Sequence, residues 1–359
     1  METLPDTVDG PRGGTWYEFG EILDFLNFVF RSSVGRKPSI GGDYPHLYNE
    51  RNVHNFRHIR VNGRVISNVS IYPARVQWGD AVLKIGGIGG VATDPDYRKH
   101  GYAGTILAHC LEYMDRELDC DLSILWTGIP DYYRRWGWEH AGQNWTFFID
   151  RTTITYLPVA PTGEVLTDTL DPRVIQAVES LHAARRAGVV RDRELTEVLL
   201  NIRTRVRCAV LMDGETPVAY IVYSPGEQID VKDCGGDGSA VLGLLRVVFA
   251  QCGARTAQIH TPAQDQSVAP LFIERGFAVR ANYSGMLAVL KPQRILEAYG
   301  IRDVTVRPEG DGWQIQTSTA SVFLRKPDLV KLLFGPERPP EIGHSKLPLP
   351  FYYGQLDHM

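Results

Sequence analysis

The 359-residue chain contains no uninterrupted apolar run of about eighteen residues, so a membrane-spanning helix is not expected. Its five cysteines are scattered and form no Cys-x-x-Cys pair, which argues against a disulfide framework or a zinc knot. The formal net charge is −4, so the basic excess typical of a general nucleic-acid-binding protein is missing. The first residues are polar and acidic, without the apolar segment of a signal peptide. We therefore predict a cytoplasmic protein that binds no metal, nucleic acid or membrane.

What the chain does contain is a repeated order of strand and helix patterns, which predicts an α+β fold. Alternating apolar runs joined by Asn62-Gly63 and Gly79-Asp80 predict an antiparallel meander. An amphipathic helix then follows from about residue 103 to 118, with one buried face. A helical region over about 172–202 precedes a second meander, and the order of elements is then repeated.

The same patterns divide the chain into four parts. We expect residues 1–14 to be a disordered tail, 15–152 to be a first α+β unit, 153–290 to be a second unit of similar order, and 291–359 to be a small C-terminal α+β domain.

The stretch VATDPDYRKHGYAG, residues 91–104, places basic residues and a glycine where a helix begins. The first turn of a helix has unpaired N–H groups and a partial positive charge, so it favours an anion. Gly101 allows close backbone approach, while Arg98 and Lys99 add formal charge. A phosphate or pyrophosphate is therefore the expected ligand. The chain contains no GxxxxGK[ST] motif, and the glycines of IGGIGG precede the end of a strand rather than a helix, so neither a P-loop nor a dinucleotide fingerprint fits.

This stretch is similar to the acetyl-CoA-binding motif [RQ]-x-x-G-x-[AG] of the GNAT acetyltransferase superfamily, which residues 98–103 match at every fixed position. The resemblance implies that the backbone of residues 99–104 wraps the pyrophosphate of acetyl-CoA and that residues 91–93 pair with its pantetheine arm. The residues implied for cofactor binding all lie in this one segment: Val91, Ala92, Thr93, Arg98, Lys99, His100, Gly101, Tyr102, Ala103 and Gly104.

A second segment, YYRRWGW at residues 132–138, is similar to the family's aromatic-Tyr-x-x-x-Gly-aromatic pattern. The resemblance implies that Tyr133 stands near the departing thiolate of coenzyme A. A phenol with a pKa of about 10 can return a proton to a thiolate of similar basicity, so Tyr133 is expected to act as a general acid. Tyr132 is expected to lie in the core or to line the acceptor pocket.

The second unit repeats this arrangement with altered residues. LFIERGF has the spacing of YYRRWGW, but Phe272 stands where the first unit has Tyr133. In VKDCGGDGSAVLG, Asp233 and Asp237 stand where the first unit has basic residues, and two carboxylates would repel a pyrophosphate. We therefore expect a degenerate copy and one active site per chain.

Tandem units followed by a small domain resemble the enhanced-intracellular-survival acetyltransferases. That resemblance implies a catalytic GNAT domain, a degenerate GNAT domain, a sterol-carrier-protein-like C-terminal domain and a hexameric assembly. It also implies that the chain's C-terminal carboxylate, here on Met359, acts as the general base, because KIGGIGGVAT carries no carboxylate. Other candidates for the base are His54, His58, Asp357 and His358.

Three functions remain open at this point. The first is transfer of an acetyl group from acetyl-CoA to a primary amine, on a polyamine-like compound, an aminoglycoside or a lysine side chain. The second is an acyltransferase that uses a longer acyl-CoA. The third is a non-catalytic acyl-CoA sensor, which the presence of Tyr133 beside the basic loop disfavours.

Overall fold

The computed structural model of the chain describes residues 6–159, 161–202, 206–337 and 342–359. Two large sheets, both mostly antiparallel and flanked by helices, are followed by a small three-stranded sheet. The predicted α+β class is confirmed. In the parts of the chain that the structure describes, no helix is both long enough and apolar enough to cross a membrane.

Eleven α-helices and strands lie in the described residues before 152. In chain order they are β1 (Val8–Gly13), α1 (Phe19–Phe30), α2 (Ile40–Asp43), β2 (Phe56–Val61), β3 (Arg64–Trp78), β4 (Ala81–Thr93), α3 (Tyr102–Arg116), β5 (Leu122–Leu125), α4 (Pro130–Arg134), β6 (Glu139–Ala141) and β7 (Asn144–Asp150).

Twelve α-helices and strands lie in the described part of residues 152–290. They are β8 (Glu164–Leu166), α5 (Pro172–Arg185), β9 (Ala187–Val189), α6 (Arg193–Leu200), β10 (Arg207–Asp213), β11 (Thr216–Ser224), β12 (Gln228–Gly236), α7 (Gly238–Gln251), β13 (Thr256–Pro262), α8 (Ala269–Glu274), β14 (Ala278–Asn282) and β15 (Gly285–Val289). The C-terminal part contains α9 (Pro292–Ala298), β16 (Thr305–Glu309), β17 (Gly312–Gln316), β18 (Ser321–Arg325) and α10 (Lys326–Phe334).

Local sequence explains the meander and the helix that follows it. Asn62 and Gly63 both have positive φ, which is the backbone that a two-residue hairpin turn requires, and β2 and β3 pair antiparallel across it. Helix α3 buries one stripe of side chains against the sheet: Ile106, Leu107, Cys110 and Met114. The predicted helix and hairpins of the first unit are therefore confirmed.

The two large sheets have the same order of strands. In the first, β2, β3 and β4 form an antiparallel meander, and β4 pairs in parallel with β5. In the second, β10, β11 and β12 form the meander, and β12 pairs in parallel with β13. A helix connects the parallel pair in each unit, α3 in the first and α7 in the second. The expected tandem repeat of one fold is thus present.

The last strand of each unit lies in the sheet of the other unit. Strand β7 follows β6 along the chain, yet it pairs with β13 and β14 in the second sheet. Strand β15 follows β14, yet it lies between β5 and β6 in the first sheet. The division at residues 152 and 290 stays a prediction for folding units, but the sheets do not follow it, because each sheet takes one strand from across the boundary.

The expectation of a disordered tail over residues 1–14 is wrong for the part that the structure describes. Strand β1 pairs antiparallel with β2 at the edge of the first sheet. Arg12 fastens the strand by donating hydrogen bonds to both carboxylate oxygens of Glu18, at 3.0 and 2.7 Å. Residues 1–5 lie outside the described residues. The polar composition of this segment reflects its edge position, where one face of a strand contacts water.

The single helical region predicted over 172–202 is two helices. Strand β9 separates α5 from α6 and pairs with β3 at the far end of the first sheet. Arg186, at the end of α5, adopts a left-handed backbone with φ of 50°, which ends the helix. The chain of the second unit therefore reaches over to the first sheet.

The C-terminal part packs on the first sheet through a shared core. Ile85 and Leu287, from the first sheet, lie in the same apolar cluster as Ile315 and Leu329, from the C-terminal part. Beyond α10 the chain returns to the first unit, and Tyr352 and Tyr353 are almost fully buried. The sterol-carrier-like identity of residues 291–359 stays a prediction.

Candidate active site

A cleft opens in the first sheet where β4 and β5 separate. Their parallel pairing ends at Gly87 and Ile124, although β4 continues to Thr93. The cavity at this point has a volume of about 940 Å³. Its wall is formed by the end of β4, the start of α3, the end of α1 and the segment around α4. Separated parallel strands thus expose the edge of β4 to a ligand.

The start of α3 has the features of an anion site. Gly101 is the N-cap residue and has φ of +85°, and Lys99 also has a positive φ of 68°. Because Gly101 has no side chain, it offers no cap to the first-turn N–H groups, which point out of the helix end. Among the described residues, the space that a Cβ on Gly101 would enter is open. Backbone donors, the helix dipole and the adjacent cations therefore fit a pyrophosphate.

The structure brings together nine of the ten residues predicted to bind the cofactor. Residues that line the cavity are Val91, Ala92, Thr93, Arg98, Lys99, Gly101, Tyr102, Ala103 and Gly104. His100 is exposed, and its ring lies 6.2 Å from the ring of Tyr102. His100 is not among the residues that line the cavity, and the contacts of all ten residues with a cofactor stay predictions.

Several wall residues were missed from the sequence. Val29 and Phe30, at the end of α1, line the cavity opposite β4. Their apolar pattern is the same whether a residue faces the core or a cleft, so no sequence signal separates the two cases. Trp136 packs so closely on α3 that a Cβ on Gly104 would lie 2.8 Å from its Cζ2 atom. Trp136 belongs to YYRRWGW, so that motif was the signal for it.

Tyr133 also lines this cavity. It is the buried residue of helix α4, and only 7% of its surface is exposed. Its ring meets that of Trp138 edge to face, with centroids 6.2 Å apart. Burial raises the pKa of the Tyr133 phenol to about 12, with a smaller opposing effect of a hydrogen bond to the side chain of Thr127. The phenol is therefore held protonated in the neutral range, as a general acid must be.

The raised pKa of Tyr133 leads to a prediction on pH dependence. A general acid is lost when pH rises through its pKa, so with a pKa of about 12 the phenol keeps its proton to roughly pH 11. We expect turnover under saturating substrates to show no falling limb between pH 7 and 10. Steady-state measurement of kcat across this range tests it, and a falling limb centred near pH 9 would contradict an acid with this pKa.

The C-terminal residue lies on β4, beside the cleft. A Cβ on Gly87 would be 2.0 Å from Cε of Met359, and a Cβ on Gly89 would be 3.3 Å from Cβ of Met359 and 3.8 Å from its carboxyl carbon. The glycines of IGGIGG thus leave the room that the last residue occupies. Two to four residues further along β4, Val91, Ala92 and Thr93 line the cavity.

The other candidates for a base are placed less favourably. His54 is exposed on a short 3-10 helix and His58 lies in β2, so the two do not share a helical face. Burial lowers the pKa of His58. His358 stacks on Trp126 with ring centroids 3.9 Å apart. Asp357 is buried in a bidentate ion pair with Arg191, which leaves its oxygens engaged.

In the second unit, the structure corrects the reason for the missing anion site. Asp233 does not face the start of α7; it lies inside the protein and pairs with Arg185 and Arg191. Asp237 is the N-cap of α7 and accepts a hydrogen bond from the N–H of Ala240. A carboxylate of the protein therefore already caps this helix, whereas in α3 the corresponding position is open.

A second cavity borders the first unit on the side of Tyr72, with a volume of about 650 Å³. Tyr72 pairs with Gly87 across β3 and β4, and it packs in the same cluster as Met359. The aromatic part of the wall consists of Phe19, His46, Tyr48 and Tyr72, and the acidic part of Glu50, Asp192 and Glu194. Rings and carboxylates of this kind suit a cation. Within the described ranges, no group of three or more side chains is arranged to hold a metal ion.

The chain is similar to known acetyltransferases in both sequence and fold. Residues 12–141 match the family model of the acetyltransferase (GNAT) domain. No curated protein matches the sequence of the chain. Among solved structures, a probable N-acyltransferase of unknown function from Enterococcus faecalis is similar with a TM-score of 0.67 at 16% identity, over 89% of this chain and 85% of its own.

Two further structures cover the chain to a similar extent. A GCN5-related N-acetyltransferase from Anabaena variabilis has a TM-score of 0.66 at 18% identity, over 92% of this chain and 90% of its own. Eis1 from Mycobacterium abscessus has a TM-score of 0.61 at 16% identity, over 90% and 86%. At these identities the similarity shows a common fold across nearly the whole chain.

Proposed function

We propose that this chain is an acyltransferase that transfers the acetyl group of acetyl-CoA to a primary amine, and the match of residues 12–141 to the acetyltransferase (GNAT) domain supports this. The observation that carries the proposal is one shared cavity. An uncapped helix start with Arg98 and Lys99 opens into it, and the buried phenol of Tyr133 lies at its wall. An anion site and a proton donor together are what a thioester substrate with a pyrophosphate requires.

The chain's own residues suit each part of acetyl-CoA. The N–H groups of Tyr102 and Ala103, at the start of α3, would donate to the pyrophosphate. The edge of β4 at residues 91–93 would hydrogen-bond the pantetheine arm as a neighbouring strand would. When bound, acetyl-CoA supplies the activated acetyl thioester. The proposed role of Tyr133 is to give its proton to the leaving sulfur.

The proposed base is the α-carboxylate of Met359. A primary amine with a pKa of about 10 is mostly protonated at neutral pH, and only its neutral form can attack a carbonyl carbon. A carboxylate beside β4 can accept the ammonium proton directly or through one water. Met359 occupies space that side chains at Gly87 and Gly89 would fill, and this position beside β4 supports the role of its carboxylate.

We propose that the amine enters through the cavity beside Tyr72. Its carboxylates would attract a cation, while its aromatic rings would pack on the aliphatic part of the acceptor. Arg51 pairs with Glu194 at 2.5 Å, so Glu50 and Asp192 carry most of the acidic character. Tyr72 lines this cavity and pairs with Gly87 of β4, the strand whose residues 91–93 line the cofactor cavity.

The function is tested by incubating the full-length protein with acetyl-CoA and a panel of amines, and by measuring free thiol. The panel contains a polyamine, an aminoglycoside and a lysine peptide. We expect thiol release that depends on one class of amine, with mass spectrometry showing an acetylated product. Binding of acetyl-CoA without thiol release from any amine would favour the sensor instead, and a higher rate with butyryl-CoA would favour the longer acyl group.

Deletion of Met359 is expected to lower kcat at least tenfold at pH 7 while the KM for acetyl-CoA stays within about twofold. The physical reason is that the deletion withdraws the terminal carboxylate from β4 by one residue. Steady-state kinetics measure the effect. Met359→Leu is the matched control, since it keeps the carboxylate and nearly the same side-chain volume, and it should retain near wild-type turnover. Full turnover after the deletion would contradict the base.

We also propose a cytoplasmic location and a homo-oligomer, with a hexamer as the state that the family resemblance implies. All five cysteines are present as free thiols, four of them buried, which supports a reducing environment. Light scattering after size-exclusion chromatography measures the assembly directly.

A further inference from the structure

A buried ionic cluster joins the second unit to the last residues of the chain. Arg191 donates from Nε to Oδ1 of Asp357 at 2.8 Å and from a terminal nitrogen to Oδ2 at 2.6 Å. Its other terminal nitrogen donates to Oδ2 of Asp233 at 2.6 Å. The side chains of all three residues are exposed by 2% or less. One guanidinium thus connects β12 with the C-terminal tail.

The second unit holds Asp233 firmly at its end of the cluster. Arg185 donates to Oδ1 of Asp233 at 2.8 Å, and the hydroxyl of Tyr220 donates to Oδ2 at 3.1 Å. Burial disfavours the charged form of Asp233, but Arg185 and Arg191 outweigh it and hold the pKa of this carboxyl well below its usual value. Asp233 is therefore a fixed anion, and Arg191 is oriented by it.

A buried ionic cluster of this kind adds little to the free energy of unfolding. Removing three charges from water costs several kcal/mol each, and a well-packed apolar cluster of the same volume is often as stable. What a buried bidentate pair does supply is a single geometry, because the planar fork of arginine fixes both partners. The position of the tail is thus defined more sharply than apolar burial of Tyr352 and Tyr353 would define it.

The held residue lies two positions before the end of the chain. Chain ends are mobile by default, since few contacts fix them. Asp357 ends a short 3-10 helix, His358 stacks on Trp126, and Met359 then lies over Gly87 and Gly89 of β4. A carboxylate that accepts a proton must be held to within a fraction of an ångström to be effective, and the cluster holds the chain two residues before that carboxylate.

We infer that Arg191 and Asp357 are positioning residues that hold the terminal carboxylate at the active site, and that the second unit contributes Arg191 together with Asp233, which orients it. The inference rests on the proposed role of Met359 as the base. It gives the second unit a task in catalysis although that unit's own helix start is capped by Asp237.

The test uses the full-length chain with Asp357→Asn, which keeps the shape of the side chain and removes its charge. We expect kcat at pH 7 to fall at least tenfold, with the KM for acetyl-CoA within twofold of wild type. The ratio of wild-type kcat to Asp357→Asn kcat should fall toward pH 10, because a larger fraction of the amine is then neutral and needs no base. Arg193→Met is the matched control, since Arg193 pairs only with Glu197 on the exposed face of α6 in the described contacts, and it should leave kcat and its pH profile unchanged.

Two further measurements separate positioning from general damage. Carboxypeptidase release of Met359, followed by mass spectrometry, should be at least tenfold faster in Asp357→Asn than in wild type. In the chain that lacks Met359, Asp357→Asn should lower kcat by less than twofold more, since the group that it positions is gone. If Asp357→Asn does not fold, Arg191→Lys decides: it keeps the charge but not the fork, and an intermediate kcat with faster Met359 release is expected.

The outcomes are distinct. Wild-type kcat and wild-type release of Met359 in the folded Asp357→Asn or Arg191→Lys protein would overturn the inference. A full additional loss in the chain without Met359 would overturn it as well, because the cluster would then act elsewhere. Full turnover after deletion of Met359 alone would remove the base and this inference but leave acetyl transfer intact. Absence of thiol release by the wild-type protein would instead contradict the proposed function itself.

Discussion

Gly101→Glu is expected to weaken acetyl-CoA binding by a factor on the order of 100 or more. The new carboxylate would stand at the uncapped start of α3, where the space around Gly101 is open and a pyrophosphate is proposed to bind. Two unit charges about 4 Å apart repel by roughly 4 kcal/mol at an effective dielectric constant of 20, and about 1.4 kcal/mol corresponds to a tenfold change in affinity. Calorimetric titration with acetyl-CoA measures the effect.

Gly101→Asn is the matched control for this experiment. Asparagine tolerates the left-handed backbone that Gly101 adopts at φ of +85°, and it adds no charge. We expect the asparagine variant to lose far less affinity than the glutamate variant. Equal affinities for wild type and Gly101→Glu would show that the pyrophosphate lies elsewhere.

Tyr133→Phe is expected to leave acetyl-CoA binding within about twofold and to lower kcat by a factor on the order of 100. The ring of Tyr133 packs against Trp138, and phenylalanine keeps this packing while it removes the only proton donor that the side chain offers. The second unit already carries phenylalanine at the equivalent position, where Phe272 stacks on Phe147 with centroids 4.7 Å apart. A phenyl ring is thus compatible with this type of turn.

Stopped-flow or steady-state thiol release gives kcat, and titration gives the affinity for acetyl-CoA. Tyr113→Phe serves as the control, because it removes a phenolic hydroxyl on α3 that donates to Asn55, away from the cavity wall. Wild-type kcat in Tyr133→Phe would remove the acid role. Loss of affinity together with kcat would point to a binding role for the hydroxyl.

What could be predicted from the sequence was local in origin. The turn at Asn62-Gly63, the amphipathic stripe of α3 and the glycine at the helix start each depend on a few neighbouring residues, and each was found as predicted. The cavity wall formed by residues 91–104 follows from that same short segment. A short motif determines its local backbone conformation, so the geometry of residues 91–104 could be predicted from that segment alone.

The rest depended on partners that are far apart in the chain. Strand β7 alternates in part and β15 is a short, fully buried apolar run, and neither pattern indicates which sheet the strand joins. Asp233 was expected at an anion loop, yet it pairs with arginines 42 and 48 residues before it. The sign of a charged residue can be read from a sequence but its partner cannot. The ion pairs of Arg191 with Asp233 and Asp357 were therefore not predicted.

The exchange of β7 and β15 has a mechanical consequence for the whole molecule. Because each sheet is completed by a strand from across the boundary, pulling the units apart breaks backbone hydrogen bonds in both sheets at once rather than an interface between side chains. A fragment that ends near residue 152 would expose an unpaired strand edge and aggregate. The second unit therefore cannot be removed without loss of strand pairing in the first sheet.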